Sequence, residues 1–141
     1  MANDHKDYSG TPLPKKLGIK EGGRVFLVNA PDRFHRLLTP MPEGATILPK
    51  LAEPLDVGIL FAVERSELVR WFDPMAAALA TDGRLWVAWP KKASKMPTDI
   101  DFGFAQGIGL DASLVDNKSA SITDVFQGLQ FVYRLKDRPK R

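Results

Sequence analysis

The chain has 141 residues and a mass of 15.6 kDa, which is the size of a single domain. Hydrophobic residues make up 44% and charged residues 26%, so the composition is that of a globular protein and excludes wholesale disorder. There is no cysteine, and the only histidines are His5 and His35. This excludes disulfide bonds and thiolate metal sites and argues against a histidine-built metal centre.

The formal net charge of +3 comes mainly from the C-terminal end of the chain. Residues 134–141 contain five Lys/Arg and one Asp, and the rest of the sequence is close to neutral. A nucleic-acid-binding domain is expected to carry a basic face on its fold, so we predict no nucleic-acid partner. No signal-like segment precedes the first strand, and the apolar run 57–63 is far shorter than a membrane span. The sequence therefore predicts a cytoplasmic protein without membrane contact.

The domain organisation is predicted from composition. Residues 1–23, rich in Gly, Pro and Lys, are expected to form an N-terminal arm with one helical turn at 14–17 that Gly18 closes. A single α/β domain is expected over 24–135, followed by a basic tail over 136–141.

The strands are recognised as apolar runs bounded by turn residues, and the helices by apolar residues at helical spacing. The predicted strands are 24–29, 45–48, 55–63, 85–89, 112–122 and 129–135. The first predicted helix begins at Pro31, and the second begins after Ser66 as N-cap and ends at Asp82-Gly83. Pro74 is expected to kink the second helix or to restart it with Asp73 as a new cap. The third is expected over 99–106, capped by Thr98 and ended by Gly107.

This order of elements predicts an α/β fold, a Rossmann-like three-layer sandwich. Its sheet is mostly parallel and ends in an antiparallel β-hairpin, because the last two strands have only a short connection. The arrangement resembles the class I methyltransferase fold, shortened by an element or two.

The cofactor site that this resemblance implies lacks its two chemical devices. Such a site needs glycines after the first strand so that the backbone can approach the cofactor, and an acidic residue after the second strand for the ribose hydroxyls. Here the first loop reads Asn29-Ala30-Pro31-Asp32, and the second position falls near Lys50. We therefore expect a degenerate scaffold that binds no cofactor.

Several segments also resemble a bacterial family of short stand-alone domains of unknown function. The shared segments are Tyr8-Ser9-Gly10-Thr11-Pro12-Leu13, Lys16-Leu17-Gly18-Ile19-Lys20-Glu21-Gly22, Leu85-Trp86-Val87-Ala88-Trp89-Pro90-Lys91-Lys92, Val115-Asp116-Asn117-Lys118 and Gly128-Leu129-Gln130-Phe131-Val132. The resemblance implies a bacterial cytoplasmic single-domain protein. It implies no activity, cofactor or catalytic residue.

A ligand crevice in an open α/β sheet lies beyond the carboxyl ends of the strands. The ligand-binding candidates at these ends are Asn29, Trp89, Lys91, Lys92 and Lys95. Asn29 can both donate and accept hydrogen bonds, Trp89 offers a stacking face, and the lysines concentrate positive charge beside the predicted N-terminus of the third helix. Together they predict a site for a phosphate or carboxylate; the alternative is that the lysines only keep the loop solvated.

The remaining polar motifs have structural interpretations that compete with functional ones. Asp99 and Asp101 could bind a metal ion, but helix-N-terminal acids explain them better. Asp116 and Lys118 lie two residues apart on a strand, so we expect them on one face. His35, one helical turn after Asp32, has no nucleophile near it in the sequence. We predict no catalytic residue and no metal site.

The favoured function is a non-catalytic binding or regulatory module that recognises a small anion or a protein partner. The alternative is an enzyme that acts on a small anionic or phosphorylated substrate at the carboxyl ends of the strands. A homodimer formed through an uncovered edge strand also stays open.

Overall fold

The computed structural model describes residues 11–134. The basic tail predicted over 136–141 and the first ten residues of the predicted arm lie outside the described residues. The strands are β1 (Arg24–Val28), β2 (Thr46–Ile47), β3 (Leu55–Phe61), β4 (Leu79–Pro90), β5 (Leu114–Ser121) and β6 (Phe126–Tyr133). The helices are α1 (Leu13–Leu17), α2 (Phe34–Leu37), α3 (Arg65–Ala78) and α4 (Phe102–Asp111). No helix within residues 11–134 has the length and hydropathy needed to cross a bilayer.

All six strands form one sheet in the order β2-β1-β3-β4-β6-β5. The first four strands of the chain are parallel to one another. The last strand, β6, pairs antiparallel with both β4 and β5. The predicted mostly parallel sheet with a terminal antiparallel hairpin is confirmed.

Two apolar clusters lie on opposite faces of the sheet and explain its layers. One face carries Leu60, Val87 and Phe131 beneath α3 and α4. The other carries Val25, Ile59 and Trp86 beneath the much shorter α1 and α2. Because β3 and β4 are apolar on both faces, each face needs a covering layer, and the outcome is a three-layer sandwich.

The N-terminus of α3 is stabilised by a glutamate rather than by the predicted serine. The Glu67 carboxylate accepts hydrogen bonds from the backbone N–H groups of Val63 and Glu64 at 2.9 and 3.0 Å. The helix begins at Arg65, so Ser66 already lies in its first turn and the predicted cap was wrong. The acidic side chain three residues beyond the cap satisfies donors that Ser66 cannot reach.

The helix α3 then continues through Pro74 without a restart. Its buried residues Leu68, Phe72 and Met75 lie on both sides of the proline and pack on the sheet. This packing outweighs the single backbone hydrogen bond that proline removes. The predicted restart with Asp73 as cap was therefore wrong.

The strand β4 begins at Leu79, so the prediction that Asp82-Gly83 ends the second helix was also wrong. Gly83 lies within the strand, where a Cβ atom would come within 2.7 Å of the Leu55 carbonyl oxygen. Glycine allows β4 to pass close to β3 at this point.

The helix α4 begins at Phe102 rather than at residue 99, and its cap is Asp101 rather than Thr98. The Thr98 hydroxyl instead donates to the Val63 carbonyl and accepts from the Ile100 N–H group. Gly107 does not end the helix, which continues to Asp111.

A β-bulge at Asn117 interrupts the alternation of β5. Asp116 is opposite Phe131 and Lys118 is opposite Gln130, so Asn117 is an extra residue between them. Asp116 therefore faces α4, where its Oδ1 accepts from Gln106 Nε2 at 3.1 Å. Lys118 lies over the Trp86 ring on the opposite face. The prediction that Asp116 and Lys118 share one face was wrong, because a bulge shifts the period of two.

Two glycines of α4 allow a matched test of the packing. A Cβ on Gly109 would lie 2.1 Å from Phe131 Cε1, whereas a Cβ on Gly107 would meet nothing within 4 Å. We expect Gly109→Ala to lower the free energy of unfolding by about 1–3 kcal/mol through overpacking. We expect Gly107→Ala to raise it by about 0.5–1 kcal/mol, since alanine favours the helix. Urea unfolding of both variants measures this, and equal effects would contradict the described packing.

Candidate functional site

A cleft of about 860 Å³ opens at the carboxyl end of β4. We call it the lysine cleft, and define it by Trp89, Lys91, Lys92, Lys95, Asp99 and Asp101. Four of the five ligand-binding candidates therefore lie together: Trp89, Lys91, Lys92 and Lys95. The cleft lies where ligands are expected in an open α/β sheet.

The loop that carries the lysines is held by its own hydrogen bonds. Residues Lys92–Ser94 form a 3-10 turn, and Lys95 follows it with a φ of 61°. The Ser94 hydroxyl donates to the Lys91 carbonyl at 2.7 Å and accepts from the Met96 N–H at 3.2 Å. These bonds fix the backbone from which Lys92 and Lys95 project.

Two acidic residues also line the cleft, and each binds the N-terminus of a helix. Asp101 Oδ1 accepts from the Phe104 N–H at 2.8 Å and caps α4. Asp99 Oδ1 accepts from the N–H of Arg65, the first residue of α3, at 2.7 Å. Arg65 Nε in turn donates to the Asp99 carbonyl at 2.6 Å. Both carboxylates therefore act on helix ends, as the structural interpretation predicted, although they serve different helices.

The apolar surfaces of the cleft come from Trp89, Met96 and Phe102. Trp89 is buried, with 4% of its surface exposed, whereas Met96 is 40% and Phe102 48% exposed. Exposed large apolar side chains beside a cleft are surfaces on which a ligand can pack. Met96 and Phe102 were not predicted as site residues; the signal for them is a pair of large apolar residues at either end of a run of polar loop residues.

The fifth candidate, Asn29, lies at the end of β1 and does not line the lysine cleft. Its φ is 58°, and its Nδ2 donates to the Phe61 carbonyl at 3.2 Å and to Glu67 Oε2 at 3.4 Å. Asn29 thus connects the end of β1 with the end of β3 and the first turn of α3.

The described residues do not include a candidate metal centre. Within residues 11–134 no three His, Cys, Asp or Glu side chains are placed to hold a metal ion. His35 is exposed on the one-turn helix α2 and does not line the lysine cleft. Trp86 and Trp89 belong to the apolar clusters on opposite faces of the sheet, as the alternation of a strand requires for residues three apart.

Several solved structures share the fold of this chain. The N-methyltransferase NodS from Bradyrhizobium japonicum WM9 superimposes with a TM-score of 0.59 at 14% identity, covering 92% of this chain and 97% of that chain. The magnesium protoporphyrin IX methyltransferase ChlM from Synechocystis PCC 6803, solved with bound SAH, gives 0.60 at 12% identity, covering 93% and 82%. LepI, solved in complex with SAM, gives 0.56 at 12% identity; 90% of this chain is covered, and the chain spans 48% of LepI.

These similarities establish the fold alone. The chain has the class I methyltransferase fold that the element order predicted. No family model and no curated protein sequence matches the chain. The resemblance to a bacterial family of stand-alone domains therefore stays a prediction.

The residues at the carboxyl ends of β1 and β2 do not fit a methyl-donor cofactor such as SAM. The loop after β1 contains no glycine, and the Asn29 amide there binds Phe61 and Glu67. The residue after β2 where an acid would bind the ribose is Lys50, which is exposed. A cation at that position cannot accept hydrogen bonds from the ribose hydroxyls.

The structural role of Asp101 can be separated from its charge. Asp101→Ala removes the acceptor for the Phe104 N–H and should lower the free energy of unfolding by about 1 kcal/mol. Asp101→Asn keeps an oxygen acceptor, so its unfolding free energy should change by only a few tenths of a kcal/mol. Denaturant unfolding monitored by circular dichroism measures both, and equal losses in the two variants would contradict the capping role.

Proposed function

We propose that this chain is a non-catalytic binding module that holds a small anionic ligand in the lysine cleft. The observation that carries the proposal is a difference in bonding between the acidic and the basic side chains of the cleft. Asp99 and Asp101 are engaged at helix N-termini, whereas the ammonium groups of Lys92 and Lys95 have no hydrogen-bond or ion-pair partner within residues 11–134. The ammonium groups of the cleft are therefore available to a ligand, whereas one oxygen of each carboxylate is bonded to a backbone N–H.

The shape and lining of the cleft indicate the chemistry of the ligand. Met96 and Phe102 offer exposed apolar surface beside the two unpartnered lysines. A ligand with a phosphate or carboxylate and a flat apolar body would satisfy both features, since aromatic side chains pack well against flat rings.

The hydrogen bonding of the cleft favours binding over catalysis. The Thr98 hydroxyl, like the two carboxylates, is already bonded within the protein. A general acid or base must reach the reacting proton of a bound substrate, and these groups are held by backbone partners instead. The alternative, an enzyme acting on a small anionic substrate, would be favoured by turnover that is lost in a cleft variant.

The anion site is tested with the double variant Lys92→Ala/Lys95→Ala. We expect phenyl phosphate to bind the wild-type chain and its affinity to fall by at least about fivefold in the variant, because two charge-assisted contacts are removed. The measurement is a ¹H–¹⁵N NMR titration at constant ionic strength.

The matched control is Lys20→Ala/Lys50→Ala, which removes the same charge from two exposed lysines outside the cleft lining. If the control lost as much affinity as the cleft variant, binding would depend on net charge and the site would be refuted. Inorganic phosphate and phenol, titrated in parallel, separate the contribution of the charge from that of the ring.

Phe102→Ala should remove the preference for phenyl phosphate over inorganic phosphate.

The residues at the ends of β1 and β2 do not fit a SAM site, and this leads to a second prediction. We expect neither SAM nor SAH to bind this chain, because the glycine loop and the ribose-binding acid are both replaced. Isothermal titration calorimetry at high protein concentration measures this directly. A stoichiometric heat signal that Asn29→Ala abolishes would contradict the proposed loss of the cofactor site.

A further inference from the structure

A second basic groove, distinct from the lysine cleft, lies between α1 and the β5–β6 hairpin. Its volume is about 710 Å³, and we call it the α1–β5 groove. It is lined by four lysines, Lys15, Lys16, Lys91 and Lys118, together with the hydroxyl-bearing Ser119 and Ser121. No aspartate or glutamate among residues 11–134 belongs to this lining. From these features we propose that the α1–β5 groove is a binding site for the phosphate group of a small phosphorylated ligand.

The ammonium groups converge on one residue. Lys91 Nζ donates to Ser121 Oγ at 2.6 Å, and Lys16 Nζ donates to the Ser121 carbonyl at 3.3 Å. Two positive charges are thus drawn to a single neutral serine. Like charges held close together repel each other, and an anion placed between them reverses the sign of that interaction.

The third ammonium group is held by α1. Lys118 Nζ donates to the Lys16 carbonyl at 3.1 Å and lies 6.0 Å from the centroid of the Trp86 ring. All acceptors of these lysines are neutral oxygens, and none of Lys16, Lys91 and Lys118 forms an ion pair within residues 11–134. The groove therefore holds positive charge that the described chain does not neutralise.

This concentration of positive charge does not follow from the overall charge of the described residues. Residues 11–134 contain 15 Lys/Arg and 14 Asp/Glu, so the described part of the chain is almost balanced. Four of these cations nevertheless line one groove, to which none of the 14 described acidic residues contributes. A concave surface of one charge sign attracts ligands of the opposite sign.

A compact phosphate fits the groove better than a nucleic-acid strand does. Proteins that bind single strands combine basic residues with exposed aromatic platforms on which bases stack. Within residues 11–134, the aromatic side chain in contact with a lysine of this groove is Trp86, which is fully buried. The Ser121 hydroxyl donates to the Thr123 carbonyl, so the lysine ammonium groups and the Ser119 hydroxyl supply the hydrogen-bond donors to one tetrahedral anion.

The groove and the lysine cleft share Lys91 and Gln127 in their linings, so they adjoin at the end of β4. The inference does not depend on the proposed function, because the lysines that distinguish the groove are Lys15, Lys16 and Lys118. The test therefore uses different variants for each site and leaves Lys91 unchanged.

The first experiment titrates pyrophosphate into the ¹⁵N-labelled full chain at constant ionic strength. We expect amide shifts at residues 15–16, 118–121 and 127–128. We expect Lys16→Ala/Lys118→Ala to weaken the binding that these amides report at least about tenfold, since two charge-assisted contacts are lost. In Lys92→Ala/Lys95→Ala the same amides should shift as they do in the wild type.

The outcomes separate the two proposals. Shifts confined to residues 89–102, or no shifts at all, would overturn the groove site; the former would leave the lysine cleft standing. Unchanged groove binding in Lys16→Ala/Lys118→Ala would also overturn it. A single-stranded oligonucleotide that binds the groove more tightly than pyrophosphate would overturn the small-ligand assignment.

A second pair of variants keeps every lysine and so remains informative if the double variant loosens α1. Ser121→Asp places a carboxylate on the side chain that accepts from Lys91, in the residue whose carbonyl accepts from Lys16, so it imitates a bound anion beside both lysines. We expect it to raise the melting temperature by about 2–4 °C over the neutral Ser121→Asn variant and to abolish pyrophosphate shifts in the groove. Equal melting temperatures for the two variants would show that the lysines do not share an anion position, and would overturn the inference.

Discussion

The burial of β4 on both faces of the sheet is the constraint on which the other elements depend. Residues 85–90 are all buried, between β3 on one side and β6 on the other. One face is covered by α3 and α4, and the other receives Trp86, whose indole N–H needs an acceptor in an apolar environment. The Leu17 carbonyl supplies it at 3.0 Å. A buried donor without a partner would cost about 1–3 kcal/mol, so this bond attaches α1 firmly to the sheet.

The same bond explains why so short a helix can help to form a groove. α1 has five residues, too few to be stable alone in water. Leu17 and Ile19 are buried against the sheet. Lys16 on α1 donates to the Ser121 carbonyl of β5, and Lys118 on β5 donates to the Lys16 carbonyl of α1. The wall of the α1–β5 groove is thus held by packing below and by polar contacts at its rim.

Much of the fold can be predicted from the sequence because its strongest signals are local. The buried strands β1, β3 and β4 are apolar runs bounded by Gly, Pro or polar residues, and their order with the intervening helices indicates the sheet. The helix ends were predicted poorly because capping is decided by side-chain reach. Glu67, rather than Ser66, accepts from the N–H groups of the two residues that precede α3, and Asp99 reaches the first N–H of α3 from 34 residues away. No pattern within a short window contains the Asp99 contact.

In the candidate site, too, the residues that could be predicted are those that are neighbours in the sequence. Lys91, Lys92, Lys95 and Trp89 are neighbours in sequence, so their common location at the end of β4 could be predicted. Asn29 could not be placed, because the direction of its side chain follows from a positive φ and from bonds to Phe61 and Glu67. Lys16 and Lys118 are 102 residues apart, and only the sheet topology brings them to one groove. Contacts at that separation are a property of the fold rather than of any motif.

The bulge at Asn117 shows that chain length, as well as residue identity, determines where charge is displayed. Before the bulge, Asp116 faces α4; after it, Lys118 faces Trp86 and the α1–β5 groove. If Asn117 were paired as a regular strand residue, Lys118 would lie on the same face as Asp116, and every side chain on one side of the bulge would exchange faces. Forming or losing the bulge can therefore switch a basic groove on or off while conserving every lysine. Relatives of this chain that differ in ligand preference are best compared first by whether β5 contains the bulge, and only then by the residues it contains.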